Sequence, residues 1–123
     1  MALVNALLDT NILVDYLNGI EEARREIDRY TQPLISPVSW MEVMVGVAAR
    51  DESVVRQFLS GFRQSVINQD VAERAVTLRR RHKMRLPDAI IWASAQCENA
   101  LLVTRNHKDF PPKDPGVRIP YEL

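Results

Sequence analysis

Four carboxylates stand where the chain changes from one kind of element to another. Asp9 ends the apolar run Leu3-Val4-Asn5-Ala6-Leu7-Leu8, Glu42 follows Ser39-Trp40-Met41, Asp88 follows Pro87, and Asp109 lies within TRNHKDF. If the four converged, each pair at ~4 Å would repel by about 4 kcal/mol at an effective dielectric constant near 20. Such a cluster needs raised pKa values or a bound cation. Oxygen donors with no His or Cys at ligand spacing suit Mg²⁺ or Mn²⁺ rather than zinc. Two hard cations on carboxylates suit in-line phosphoryl transfer, in which one activates water and both neutralise charge developing on phosphorus.

Each acid also has an ordinary structural reading. Asp9 could cap a helix. Ser39-Trp40-Met41-Glu42 has the form of a capping box. Asp88 at a helix start is favoured by the helix dipole. Asn106-His107-Lys108-Asp109 could be a cap or a turn. Asp70 with Glu73 uses the same device where no function is expected. Taken singly, the cap reading is the stronger for every one of them. Their recurrence at matching punctuation favours a site.

The elements that must position these acids follow from apolar patterning. Residues 3–8, 34–35, 66–67 and 101–103 read as strands, and 117–119 as a last edge strand before Pro120. Helical periodicity covers 12–17, 20–30, 37–49, 51–62, 71–84 and the stretch opened by Pro87. Residues 111–116, PPKDPG, read as a loop. Strands alternating with helices predict a three-layer α/β/α sandwich around a parallel sheet. Ligands of such sheets bind beyond the carboxyl ends of the strands, where Asp9 and Asp109 would meet if the first and fourth strands are central neighbours.

Length and composition set the bounds. With 123 residues the chain reads as a single domain, 1–123. Sixteen basic residues balance sixteen acidic ones, so a nucleic-acid partner would have to be met by a local patch. The one cysteine, Cys97, makes no internal disulfide and reads as a small buried or half-buried thiol, in keeping with a reducing compartment. No basic segment precedes the N-terminal apolar run, as a signal peptide requires. No stretch approaches the ~20 apolar residues of a membrane span. A cytoplasmic protein with no membrane partner is expected.

Three other readings of LLDTN fail on spacing. A haloacid-dehalogenase-type phosphatase needs Asp-x-Asp, and Asn11 stands in the second position. A receiver domain needs paired acids after its first strand, and Asp9 is unpaired. A dinucleotide fold needs Gly-x-Gly-x-x-Gly, which the glycines at 19, 46, 61 and 116 do not form.

LLDTNIL, ISPVSWMEVMVG, LPDAIIWASA and LVTRNHKDF, in that order, resemble the PIN-domain ribonucleases, and most closely the VapC-type toxins of bacterial toxin–antitoxin pairs. The resemblance runs from Leu7 to Phe110. It implies a PIN-like fold and a Mg²⁺- or Mn²⁺-dependent endoribonuclease that hydrolyses RNA with metal-activated water. Asp9, Glu42, Asp88 and Asp109 match the acidic quartet, with Asp9, Asp88 and Asp109 as metal ligands. Thr10, Asn11, Thr104 and Asn106 match polar positions that support the site. In some relatives the position of Asn106 is acidic; the amide here implies weaker affinity for a second metal. A homodimer and a cognate VapB-type antitoxin are also implied. Ile12, Val14, Tyr16, Leu17, Trp40, Val43, Met44 and Val47 are its docking candidates, most of them expected in the core, with Trp40 and Tyr16 favoured for partner contact.

The run LRRRHKMRL packs Arg79, Arg80, Arg81, Lys83 and Arg85 into seven positions. These residues could complement a helix C-terminus, yet they lie just before Asp88 and could grip RNA phosphates. Arg105 and Lys108 flank the other side. His82 and His107 read as surface residues and Trp92 as core. The rival to an enzyme is a PIN-fold module that holds RNA or a partner without cutting, and Asn106 is its only support in the sequence.

Overall fold

A computed structural model describes residues 5–123. The first strand, β1 (Ala6–Leu8), is buried along its whole length, as a strand covered on both faces must be. Leu3 and Val4, expected to extend it, lie outside the described residues. β2 (Leu34–Ile35), β3 (Arg63–Gln64), β4 (Leu101–Val103) and β5 (Val117–Arg118) complete a sheet of order β3-β2-β1-β4-β5. All four pairings are parallel. β1 and β4 are therefore central neighbours, with Leu7 opposite Leu102 and Leu8 opposite Val103.

The two-residue period of the strands divides the core. Leu7, Leu34 and Leu102 face one side and pack with Val71, Ala75 and Leu78 of α5 (Gln69–His82) and Ile91 and Trp92 of α6 (Leu86–Cys97). Ala6, Leu8, Ile35 and Val103 face the other side. There they meet Ile12 and Leu13 of α1 (Thr10–Leu17), Val43 of α3 (Pro37–Val45), and Val55 and Leu59 of α4 (Glu52–Ser60). α2 (Glu21–Asp28) follows α1 after Asn18-Gly19, where Gly19 takes φ +79°. The helix–sheet–helix sandwich is the fold the patterning predicts.

Three local expectations are corrected. The third strand is Arg63–Gln64, not Val66–Ile67, which is exposed coil. An edge strand needs only backbone pairing, so its residues carry no apolar signal. The helix expected over 37–49 stops at Val45, and a 3₁₀ turn at Ala49–Asp51 leads into α4. Cys97 is exposed, because burial on α6 runs unbroken only from Ile91 to Ala95.

Candidate active site

Asp9 leaves the central strand at its carboxyl end, and its amide donates to Val103 O at 2.9 Å. It caps α1, with Oδ1 accepting from the Thr10 amide at 2.8 Å. The cap reading is thus correct and incomplete, because Oδ2 is held separately. It accepts from the Thr104 hydroxyl at 2.7 Å and from Asn11 Nδ2 at 3.2 Å. Thr104, fully buried, is the first residue after β4. Asn11 also receives the Arg105 amide on Oδ1 at 3.1 Å. Two adjacent strand ends are thereby tied together around one carboxylate.

Burial pushes Asp9 up to about 6. The Thr104 and Thr10 hydrogen bonds oppose that rise, and the negative charges of Asp88 and Glu42 add to it. Asp88 is raised in the same way, first by burial and then, against the opposing Arg85, by Asp109 and Glu42. Glu42 and Asp88 thus act on Asp9, and Glu42 and Asp109 on Asp88, from the end of β1, α3, α6 and the loop after β4.

Glu42 is not part of a capping box. Pro37 starts α3 and Ser36 caps it, accepting from the Val38 amide at 3.1 Å. Ser39 therefore lies inside the helix, fully buried. The Thr10 hydroxyl donates to Glu42 Oε1 at 2.6 Å and lies 2.9 Å from Ser39 Oγ. Asp88, 7% exposed, sits in the first turn of α6 and meets Arg85 Nε at 3.4 Å. Asp109 and Asn106 form a reciprocal turn: Asn106 Nδ2 donates to Asp109 Oδ2 at 2.9 Å, and the Asp109 amide donates to Asn106 Oδ1 at 3.2 Å. At Asp70 the cap is Asn68, whose Oδ1 accepts from the Val71 amide.

The donor set is oxygen alone, and the mutual repulsion at Asp9 and Asp88 is what a hard divalent cation relieves. In kind, these residues fit such an ion. Among the described residues no three His, Cys, Asp or Glu are grouped closely enough to hold one in the arrangement seen; Glu42 is engaged by Thr10, Asp88 by Arg85 and Asp109 by Asn106.

The basic residues divide. Arg79, Arg80 and Arg81 lie in the last turn of α5, and Lys83 ends that helix in the left-handed conformation. All four are exposed and, among the described residues, lack a carboxylate partner. Arg85 is engaged by Asp88. Arg105, expected at the substrate, is instead turned inward: its Nε and Nη2 donate to buried Asp15 at 2.6 and 2.9 Å. His82 is exposed but lies against Trp92, with ring centroids 4.9 Å apart. Sequence reasoning missed Ser39, Asp15 and Tyr121, whose hydroxyl donates to Asp15. Asp15 did carry a signal, a charge inside the apolar run ILVDYL.

Beside the acids, an apolar groove of about 580 Å³ runs between α1, α3 and α4. Val14, Leu17, Val43, Val47 and Val54 line it, and Glu42 stands in its wall. Ile12 is core. Tyr16 and Trp40 are not among its lining residues: Tyr16 stacks on Phe58 at 4.5 Å, and Arg56 lies over Trp40 at 5.3 Å.

A parallel sheet whose central strands end in a carboxylate cluster defines an α/β protein of the PIN class. The chain belongs to the PIN-domain family, whose model it matches over residues 6–112. The expected likeness to VapC-type chains holds as well. Ribonuclease VapC10 of Mycobacterium tuberculosis is 31% identical over 113 residues, 85% of either chain. A solved toxin–antitoxin complex from Klebsiella pneumoniae contains a chain 48% identical, with a TM-score of 0.91, covering 96% of this chain and 99% of that one. The DNA-bound VapBC of Salmonella typhimurium shares the fold, with a TM-score of 0.77 at 23% identity and coverage of 94% and 96%.

Proposed function

We propose that the chain is a divalent-metal-dependent endoribonuclease, a VapC-type toxin held in check by a VapB-type antitoxin. The observation that carries this reading is the placement of Asp9 at the carboxyl edge of β1 and β4, near enough to Glu42 and Asp88 to feel their charge, with Asp109 acting in turn on Asp88. Its similarity to Ribonuclease VapC10 supports RNA as the substrate. Asp9, Asp88 and Asp109 would hold Mg²⁺ or Mn²⁺, and Glu42 would bind through or orient a water. When bound, the cation supplies Lewis-acid chemistry and lowers the pKa of a coordinated water. Thr104 and Asn11 fix the orientation of Asp9. Thr10 holds Glu42 toward the same edge. Arg79, Arg80, Arg81 and Lys83 supply cations for RNA phosphates, and Arg85 stands between that run and Asp88.

The 48% identical chain is part of a toxin–antitoxin complex, which supports an apolar antitoxin segment as occupant of the groove beside Glu42. The family resemblance alone supports a homodimer, a single domain over residues 1–123, and action in the cytoplasm. Among the described residues no helix is long and apolar enough to cross a membrane.

The test is cleavage of an end-labelled RNA by the purified chain in Mg²⁺. Wild type is expected to cut, leaving 5′-phosphate and 3′-hydroxyl ends. Asp88→Asn is expected to lose at least a hundred-fold in rate, on the order of 3 kcal/mol of transition-state stabilisation. Cleavage that continues unchanged in excess EDTA would refute the reading. Mn²⁺ binding without turnover on any RNA tried would favour the non-cutting module.

A further inference from the structure

Two buried carboxylates lie outside the acid cluster. Asp15 on α1 is 5% exposed and Glu26 on α2 is 4% exposed. Each is satisfied in the same manner. Asp15 accepts from Arg105 Nε at 2.6 Å, Arg105 Nη2 at 2.9 Å and the Tyr121 hydroxyl at 2.8 Å. Glu26 accepts from Arg118 Nε at 2.7 Å, Arg118 Nη2 at 3.0 Å and the Tyr30 hydroxyl at 2.7 Å. A guanidinium fork with a phenol satisfies both oxygens of a carboxylate and fixes the fork's orientation.

The two sets differ in what hangs from them. The Glu26 set joins β5 to α2. The Asp15 set ends on Arg105, whose chain neighbours are Thr104 and Asn106. The Arg105 amide donates to Asn11, and Asn11 and Thr104 together hold Asp9 Oδ2. The Asn106 amide donates to Thr104 Oγ1 at 3.0 Å, and its side chain holds Asp109. At the far end of the loop, Phe110 is fully buried, edge-on to Trp92 at 5.9 Å. The loop thus has an apolar anchor after Asp109 and an ionic one at Arg105. Through the contacts they make, both acids at this edge depend on backbone within one residue of Arg105.

We propose that Asp15, Arg105 and Tyr121 form a clamp that positions the 104–109 loop, so that Arg105 sets cation affinity without touching cation or RNA. This rests on the metal reading above, applied to Asp9 and Asp109. Arg105 is a positioning residue, and the C-terminal Tyr121 becomes part of the site's support. The Glu26 set, alike in chemistry, meets this loop only through backbone, where Arg118 O accepts from the Thr104 amide at 3.0 Å; a side-chain change at Arg118 leaves that bond in place, which makes the set the internal control.

The experiment titrates the full-length chain with Mn²⁺ by calorimetry, at a temperature where circular dichroism shows every variant folded, and measures amide hydrogen exchange. Arg105→Lys keeps the charge and loses the fork. It is expected to weaken Mn²⁺ binding about ten-fold and to speed exchange at the Asn106 and Asp109 amides. Arg118→Lys is expected to lower the melting temperature comparably while leaving Mn²⁺ affinity within about two-fold. Tyr121→Phe against Tyr30→Phe repeats the comparison with milder changes, should either lysine variant fail to fold. Wild-type affinity and exchange in Arg105→Lys and Tyr121→Phe would overturn the clamp, as would equal affinity losses in both sets. Absence of Mn²⁺ binding by wild type would overturn the metal reading instead. Exchange at Asn106 and Asp109 then decides the clamp: faster exchange in Arg105→Lys supports loop positioning, and unchanged exchange refutes it.

Discussion

Asp9 sets stability against function. Its carboxyl is held near 6 against an ordinary 3.8, by burial and then by the neighbouring acids. Between those values the native state binds the proton more tightly than the unfolded chain does, so stability without metal falls as pH rises through that window. Above pH 7 the cost is about 3 kcal/mol. Asp9→Asn removes it, less the hydrogen bonds that the amide fails to make. In EDTA the variant is expected to melt above wild type at pH 7.5 and to lose that advantage near pH 4. Thermal melts at the two pH values check this; an equal destabilisation at both would contradict it. That this residue mattered was legible from the sequence, because a charge directly after a buried strand is conspicuous. Arg105 was misread for an equally physical reason. Its partner Asp15 lies 90 positions away, and no local pattern reports a long-range ion pair.

At the scale of elements, the sequence was most legible where the apolar period was long and least where it was short. The central strands and all six helices follow from it. β3 does not, because Arg63 and Gln64 are both exposed and bring no apolar side chain to the core. The capping box failed because Ser36-Pro37 is a stronger start signal three residues earlier. That error hid the burial of Ser39 against Thr10. The end of α5 is where element and function meet. Arg79, Arg80 and Arg81 crowd its last turn, beyond what dipole complementation needs. The triple change of these residues to Gln is expected to raise KM for RNA with kcat little altered. If all three meet phosphates, the slope of log affinity against log salt should flatten by about two, at ~0.7 per contact to single-stranded RNA. Binding measured across a salt series checks it; an unchanged slope would return the run to an ordinary solvated helix end.

For the molecule as a whole, one arrangement explains the layout. The parallel sheet brings the carboxyl ends of β1 and β4 side by side. α3 and α6 each add an acid from opposite layers, and Asp109 arrives on a loop pinned by Phe110. The fold class was legible because alternating strands and helices leave few topologies. The convergence of the acids was not, because it depends on strand order and on loop course. The groove beside Glu42 was legible only as a list of apolar residues; of that list Val14, Leu17, Val43 and Val47 line it and Tyr16 and Trp40 do not, while Val54 was not foreseen. The central claim is that the four carboxylates make one cation site, and Mn²⁺ titration of wild type beside Asp9→Asn at pH 7.5 tests it most directly. Wild type is expected to bind, and Asp9→Asn to bind at least ten-fold more weakly. Equal binding by the two chains, or none by wild type, would contradict the account.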